Sequence, residues 1–324
     1  MRLSDLHYVL AFATSFTIVA LATPLFRSLA LTRDIVDTPD GPDGRKHQHQ
    51  PMPYLGGLAI VLGFTLVVLG GAVLRGPLSG NAWLAAGVVL PAIGLALIGL
   101  LDDLGGLGIR SRFAAQSLAA IVTATISIGL GTSASLFGNR FVDAVVTIFW
   151  VIGITNAINL LDNMDGLATG SVAISAVAFF VIAALNGQYL VAALSIALAG
   201  SCLGFLWHNW SPATIYMGDS GALFLGFLLA VIAVRLHFPN HSHFSALAAR
   251  IAILALPIVD TSTVVVSRLR RGVSPFQGAR DHLSHRLQRR GFSPRRTVVT
   301  LLAVAALIAV IGVFSGADLP DIGR

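Results

Sequence analysis

The chain has 324 residues, of which 55% are hydrophobic and only 11% charged, and its mean hydropathy is +0.82. Soluble domains carry about 25% charged residues, so this composition excludes a large soluble domain and indicates an integral membrane protein. The single cysteine, Cys202, excludes a disulfide framework, and the net charge of +6 indicates arginines that anchor cytoplasmic loops, with no motif for binding nucleic acid.

Ten apolar stretches follow one another, each close to the roughly 20 residues that a helix needs to cross a bilayer. They cover residues 8–29, 55–74, 82–101, 113–131, 143–161, 167–185, 189–207, 221–236, 247–267 and 297–314. The sequence therefore predicts an all-α polytopic membrane protein of about ten transmembrane helices, forming one domain over residues 1–324. The first stretch resembles a signal peptide, but the positive charges that follow it favour an uncleaved span. Pro91 and Pro257 predict kinks whose freed carbonyl groups are satisfied by neighbouring helices.

The basic residues predict the orientation in the membrane. Ten spans place both termini on the same side, and 15 of the 21 lysines and arginines fall in cytoplasmic segments if the loop after the first span is cytoplasmic. The positive-inside rule then places both termini on the extracytoplasmic side of the membrane. It also places four clusters of polar residues at the cytoplasmic edge, where a carboxylate near hydrocarbon is usually functional.

The first half of the chain contributes two polar segments to this edge. The basic segment around Lys46 either contacts a phosphate or only anchors its loop. Asp102 and Asp103 lie together at the end of the third stretch. Adjacent carboxylates repel, so the pKa of one of them rises unless a cation such as Mg²⁺ lies nearby. The pair suits a base or a metal site, and the alternative is an interfacial turn with an aspartate that caps a helix.

The cluster richest in polar residues follows the fifth stretch. Asn156, Asn159 and Asp162 are spaced three apart and therefore share one helical face, and Asp165 then precedes a glycine that ends or bends the helix. These groups can bind a phosphorylated ligand or its metal ion. A stripe of interhelical hydrogen bonds would explain the two asparagines, but it would not require Asp162 and Asp165.

Two further clusters lie in the second half. Asp219 is in the run Met-Gly-Asp-Ser-Gly, where small residues allow close approach to a ligand and the carboxylate either holds a hard cation or caps the following helix. His282 and His285 lie in an arginine-rich loop between Arg280 and Arg286. This loop either clamps a diphosphate or forms a polybasic patch on anionic lipid.

Taken together and in this order, the clusters resemble the polyprenyl-phosphate N-acetylhexosamine-1-phosphate transferase family. The resemblance rests on the Asp-Asp pair, the Asn-x-x-Asn-x-x-Asp-x-x-Asp-Gly run, Met-Gly-Asp-Ser-Gly and the His-x-x-His loop, and it extends from residue 45 to residue 285. It implies a multi-pass enzyme of a bacterial plasma membrane that transfers a sugar 1-phosphate from a UDP-sugar to undecaprenyl or decaprenyl phosphate, with release of UMP. The histidine loop is more similar to the branch that uses UDP-N-acetylglucosamine than to the phospho-N-acetylmuramoyl-pentapeptide transferases.

The resemblance also implies roles for individual residues. Mg²⁺, with Mn²⁺ as the alternative, is implied at Asp219, and Asn159 contacts this metal or the diphosphate. The resemblance implies that Asp102 or Asp103 binds or deprotonates the lipid phosphate. The residues implied at the sugar nucleotide are Asp162, Asp165, His282, His285 and Arg286.

The sequence departs from the related pattern at two positions. Ser284 stands where related loops usually carry a middle histidine, and Asn163 stands where glycine is common. Two other functions stay open: a membrane transporter and a phospho-N-acetylmuramoyl-pentapeptide transferase. Against a transporter, the polar clusters lie at helix ends rather than at the bilayer midplane, and no internal repeat is found. The sequence leaves the oligomeric state open, a homodimer included.

Overall fold

The computed structural model describes residues 5–38, 51–74, 80–129, 139–274 and 281–316. These residues form a helical bundle, as predicted, with one small antiparallel sheet that the sequence did not indicate. The helices are α1 (Asp5–Thr32), α2 (Gly56–Leu74), α3 (Gly80–Gly105), α4 (Ile109–Gly129), α5 (Arg140–Leu161), α6 (Leu167–Leu185), α7 (Tyr189–Asn209), α8 (Gly218–Arg235), α9 (His243–Ile253), α10 (Ala255–Arg270), α11 (Leu283–Arg289) and α12 (Pro294–Gly316). The strands are β1 (Val36–Asp37) and β2 (Met52–Pro53).

Eight of these helices are long and apolar enough to cross a membrane, namely α1, α2, α3, α5, α6, α7, α8 and α12. Helices α9 and α10 make a ninth span if they are counted together. Helix α4 covers the fourth predicted stretch but is not among these candidates. The protein is therefore a polytopic membrane protein, and the count of ten spans stays a prediction.

The ninth predicted stretch is broken, because α9 and α10 meet at an angle of 79° around Leu254. Pro257 follows the break and has no N–H to donate to the carbonyl of Ile253, one turn earlier. Ser175 of α6 donates its hydroxyl to that carbonyl oxygen at 2.9 Å. The prediction that a neighbouring helix satisfies the carbonyl freed by Pro257 is thus confirmed.

Helix α8 lies at the centre of the bundle, and glycines bring its first residues against two other helices. A Cβ added to Gly57 of α2 would lie 2.3 Å from the backbone nitrogen of Gly221, and one added to Gly99 of α3 would lie 2.5 Å from the carbonyl oxygen of Asp219. The backbones of α2, α3 and α8 are therefore in direct contact. The small residues of the Met-Gly-Asp-Ser-Gly run serve this packing, and the contact fixes where Asp219 stands.

We expect Gly57→Ala to destabilise the protein, because the new methyl group would meet backbone atoms that no side-chain rotation can move. Overpacking of this kind costs about 1–3 kcal/mol. The measurement is the Tm of the protein in detergent, with Gly70→Ala in the same helix as the matched control. An added Cβ at Gly70 meets nothing within 4 Å. Equal Tm values for the two variants would contradict the close contact between α2 and α8.

Candidate active site

One cavity of about 1060 Å³ lies where the ends of several helices meet. Its walls come from the last turns of α3 and α5, the first turn of α8, the β1–β2 sheet, the segment between α7 and α8, and helices α11 and α12. Six of the predicted site residues line it: Asp103, Asn159, Asp162, Asp165, Asp219 and His285. Residues that are far apart in the sequence thus converge on one end of the bundle.

Asp219 is held from two sides. Its Oδ1 accepts a hydrogen bond from Asn159 Nδ2 at 2.7 Å, and its Oδ2 accepts one from Arg112 Nη1 at 2.8 Å. The same nitrogen of Arg112 lies 2.7 Å from Asp102 Oδ2. Arg112 therefore joins Asp102 to Asp219, and its remaining N–H groups stay available to a phosphate, since a guanidinium carries five donors.

Asp103 has a different environment from its neighbour Asp102. Its two carboxylate oxygens accept hydrogen bonds from the backbone N–H groups of Asp219 and Ser220, at 3.0 and 3.2 Å. Asp103 thus caps the first turn of α8 from another helix, where a negative charge is also favoured by the helix dipole. Gly218 makes room for this cap, because it has φ +68° and an added Cβ would lie 2.5 Å from Asp103 Oδ2. The helix cap predicted as the alternative for Asp219 is provided by Asp103 instead.

Asp162 and Asp165 line the cavity from the turn between α5 and α6. Burial, and then the charges of Asp219, Asp103 and Asp165, raise the pKa of Asp162 to about 8. A carboxyl with this pKa is largely protonated at neutral pH unless a cation approaches it. Asp165 is fixed by the opposite wall, since its Oδ2 accepts a hydrogen bond from the backbone N–H of Ala213 at 3.0 Å.

The two asparagines of α5 form hydrogen bonds with different parts of the structure. Asn159 lines the cavity and donates to Asp219. Asn156, one turn earlier, is hydrogen-bonded to Gln116 of α4 and to the carbonyl oxygen of Ile152. The structure thus places Asn156 in a contact between helices, the arrangement that the sequence offered as its alternative, and away from the cavity wall.

The two histidines of the arginine-rich loop also differ. His285 lines the cavity, whereas His282 is buried, with its Nδ1 2.7 Å from Oδ2 of Asp260 in α10. The other oxygen of Asp260 accepts a hydrogen bond from the backbone N–H of Leu283 at 2.7 Å. His282 therefore holds the start of α11 against α10.

Arginines fix the same loop. Arg286 donates its Nε–H to the carbonyl oxygen of Asp281 at 3.3 Å, and the Asp281 carboxylate accepts from Arg271 at 2.5 Å and from Arg268 at 3.4 Å. Burial alone would raise the pKa of Asp281, but the hydrogen bonds from Arg271 and Arg268 outweigh it and lower this pKa. Lys46 and Arg280, the other two predicted binding residues, lie outside the described residues.

Sequence reasoning missed several residues of this region. In the sequence, Arg112 is only one of the 15 basic residues of the cytoplasmic segments, and Asp260 lies within the ninth apolar stretch. Tyr54, whose hydroxyl donates to the carbonyl oxygen of Asp103 at 3.0 Å, and Tyr216 also line the cavity. Burial, and then the nearby carboxylates, raise the pKa of Tyr54 and of Tyr216, which keeps both hydroxyls protonated. Of these missed residues, only Asp260 could have been recognised from the sequence, because a carboxylate inside an apolar stretch is costly unless it is paired.

Comparisons with known proteins show the family of this chain. Residues 85–237 match the model of glycosyl transferase family 4. A probable undecaprenyl-phosphate N-acetylglucosaminyl 1-phosphate transferase of Bacillus subtilis is 31% identical over 310 residues, which cover 94% of this chain and 84% of the relative. The chain belongs to glycosyl transferase family 4.

Two other relatives are similar along most of the chain. A decaprenyl-phosphate N-acetylglucosaminephosphotransferase of Mycolicibacterium smegmatis is 32% identical, over 91% of this chain and 79% of the relative. A phospho-N-acetylmuramoyl-pentapeptide-transferase of Geobacillus thermodenitrificans is 30% identical, over 94% of this chain and 97% of the relative. The comparisons thus include both branches that the sequence resembles.

The cavity residues fit the divalent cation that the resemblance to this family implies. Five carboxylates line the cavity, and Arg112 pairs with one of them, Asp219, and with the neighbouring Asp102. No three acidic, histidine or cysteine side chains of the described segments come close enough to form a metal cage. Mg²⁺ does not need one, because it keeps several waters and binds through one or two carboxylates together with substrate phosphates. Asp219 and Asn159, which both line the cavity and carry oxygen atoms, suit this mode.

Proposed function

We propose that the protein transfers N-acetylglucosamine 1-phosphate from UDP-N-acetylglucosamine to undecaprenyl or decaprenyl phosphate and releases UMP. The observation that carries the proposal is the linked group of Asp102, Arg112, Asp219 and Asn159, of which Asp219 and Asn159 line the acidic cavity. The relatives named for this reaction, which match over nine tenths of the chain, support the same conclusion. A product of this kind is the first lipid-linked sugar of a cell-envelope polysaccharide.

The transfer requires that two negatively charged groups approach each other. In the proposed reaction an oxygen of the lipid phosphate attacks the β-phosphorus of the UDP-sugar, and the bond from that phosphorus to the bridging oxygen of UMP breaks. The lipid phosphate has a second pKa near 6, the value for phosphate monoesters, so at neutral pH it is mostly ionised. Lowering the repulsion therefore matters more than removing a proton.

The residues of the chain supply this stabilisation from fixed positions. Arg112 uses Nη1 for Asp102 and Asp219, which leaves its other N–H groups as donors for a phosphate that binds beside Asp219. His285, on α11, lines the cavity. Fixed donors of this type cost no reorganisation when charge develops in the transition state. When bound at Asp219 and Asn159, Mg²⁺ would neutralise charge on the diphosphate and on the leaving UMP.

We further propose that the cavity faces the cytoplasm, where UDP-sugars are made. The described arginines support this orientation, because all but three lie at the cavity end of the bundle. The exceptions are Arg140, Arg235 and Arg250. Under the positive-inside rule, the cavity end is therefore cytoplasmic, and both chain ends then lie on the outer side if ten spans are present.

Cysteine labelling of intact cells tests the orientation. The native Cys202 is buried, so the wild-type protein gives a low background. We expect Pro239→Cys, at the exposed turn after α8, to react with a membrane-impermeant maleimide. Arg290→Cys, at the end of α11, should react only after the membrane is permeabilised. The reverse pattern would place the cavity on the side that lacks UDP-sugars.

An assay with two different UDP-sugar donors tests the proposed reaction. Purified protein in detergent is given undecaprenyl phosphate and either UDP-N-acetylglucosamine or UDP-N-acetylmuramoyl-pentapeptide, and the lipid product is identified by mass spectrometry. We expect product from the first donor and little from the second. Product from the second donor alone would assign the protein to the phospho-N-acetylmuramoyl-pentapeptide transferases, and no product from either would reject the proposed function.

A further inference from the structure

The two positions where the sequence departs from the related pattern contact each other. Ser284 of α11 donates its hydroxyl hydrogen to Oδ1 of Asn163 at 2.7 Å, although 121 residues separate them. Ser284 is 1% exposed, so its hydroxyl has no access to solvent. A buried hydroxyl without a partner is costly, and Asn163 supplies that partner.

The amide of Asn163 is itself held in one orientation. Its Nδ2 donates to the carbonyl oxygen of Leu160 at 2.9 Å, in the last turn of α5. This bond turns Oδ1, the accepting atom, towards Ser284. Asn163 lines the cavity and follows Asp162 directly in the chain. The contact therefore joins α11 to the acidic turn between α5 and α6.

Helix α11 needs such contacts, because it has only seven residues and isolated helices of this length are unstable in water. Its N-terminal side is fastened to α10 through Asp260 and Asp281. The hydrogen bond of Ser284 fastens it to a second element. The next residue after Ser284 is His285, which lines the cavity.

We propose that Asn163 and Ser284 are a pair of positioning residues that hold His285 at the cavity during the transfer reaction. The inference rests on the proposed function. Ser284 is 1% exposed and its hydroxyl contacts Asn163, so a histidine at position 284 would need space that Asn163 now fills. We therefore expect substitutions at the two positions to be coupled.

A mutant cycle tests whether the pair acts through His285. We expect Ser284→Ala to lower kcat about tenfold, the effect of losing one hydrogen bond of ordinary net strength. In a His285→Ala background the same substitution should change kcat less than about twofold, because coupled residues are not additive. Ser195→Ala is the control, since that buried hydroxyl bonds only within its own helix, to Val191. Asn163→Ala removes the same hydrogen bond and replaces Ser284→Ala if that variant does not fold.

Substituting Asn163 and Ser284 singly and together gives a second test. Ser284→His alone and Asn163→Gly alone should each lose about tenfold or more in kcat, and the double variant Asn163→Gly/Ser284→His should recover to within about threefold of wild type. An effect of Ser284→Ala that is equal with and without His285 would overturn the proposal. A double variant as impaired as the worse single variant would also overturn it.

Amide hydrogen exchange tests the contact between α11 and the acidic turn without depending on transferase activity. Amide exchange of residues 281–289 should become faster in Ser284→Ala, with unchanged exchange in α7 and α8. If the wild-type protein has no transferase activity, the proposed function fails, while faster exchange in this segment still supports the link between α11 and the acidic turn. Unchanged exchange in residues 281–289 would overturn the inference whatever the activity.

Discussion

Asp219→Asn should abolish turnover, with a loss on the order of a thousandfold or more, in a protein that still folds and inserts. The substitution removes the charge that would bind Mg²⁺, and charge stabilisation by a catalytic metal contributes several kcal/mol. It also places an NH₂ group against either Arg112 or Asn159, which both donate to Asp219 in the wild-type protein. The measurement is the initial rate of UMP release, together with the Tm in detergent.

Asp34→Asn is the matched control for this prediction. Asp34 is exposed and is absent from the cavity wall, and its φ of 55° is one that asparagine tolerates well. Its substitution should leave the rate of UMP release unchanged. If Asp219→Asn kept more than about a tenth of wild-type activity, a factor worth only about 1.4 kcal/mol, Asp219 would not be the metal ligand.

Asp102 and Asp103, although adjacent, should respond differently to the same substitution. Asp102→Asn should lower turnover about 10²–10³-fold with little change in Tm, because Arg112 loses one of the two carboxylates that hold it and a displaced electrostatic donor has a cost of this size. Asp103→Asn should lower the Tm as well, because an asparagine offers one acceptor oxygen where two backbone N–H groups now bind. Loss of a helix cap costs about 0.5–2 kcal/mol. Both quantities come from turnover assays and thermal unfolding of the two purified variants.

Comparing Asp102→Asn with Asp103→Asn distinguishes a role in the reaction from a role as the cap of α8. A fall in turnover for Asp103→Asn without any fall in Tm would show that Asp103 acts in the reaction and that its cap is dispensable. A fall in Tm for Asp102→Asn equal to that of Asp103→Asn would contradict the assignment of the cap to Asp103 alone. The wild-type protein with and without Mg²⁺ provides the reference for both.

The sequence predicted the helices and the convergence of the acidic clusters, because both depend on patterns of apolar and charged residues along the chain. It could not predict which of two adjacent carboxylates caps α8. That depends on the contact of Gly99 with Asp219, which brings α3 against the first turn of α8. Local spacing carries no information about the approach of two backbones that are over 100 residues apart in the chain.

Contacts between residues that are far apart in the chain could not be predicted from the sequence either. The sequence shows the positive charge of Arg112 but not its two partners, which lie on different helices. His282 looked equivalent to His285, since they are three residues apart in one loop. Their roles separate only when Asp260, in α10, is seen to pair with His282. The break at Leu254 changes the direction of the chain between α9 and α10, and Pro257 alone indicated a kink without its angle.

In the proposed reaction, the sugar moves from the nucleotide to the lipid together with its phosphate, at the acidic cavity. The most direct measurement uses UDP-N-acetylglucosamine labelled with ³²P in its β-phosphate, purified protein and undecaprenyl phosphate. We expect the label to enter the lipid product and the released nucleotide to be unlabelled UMP. Release of labelled UDP, with the sugar transferred alone, would contradict it, because the bond broken would then lie between the sugar and its phosphate.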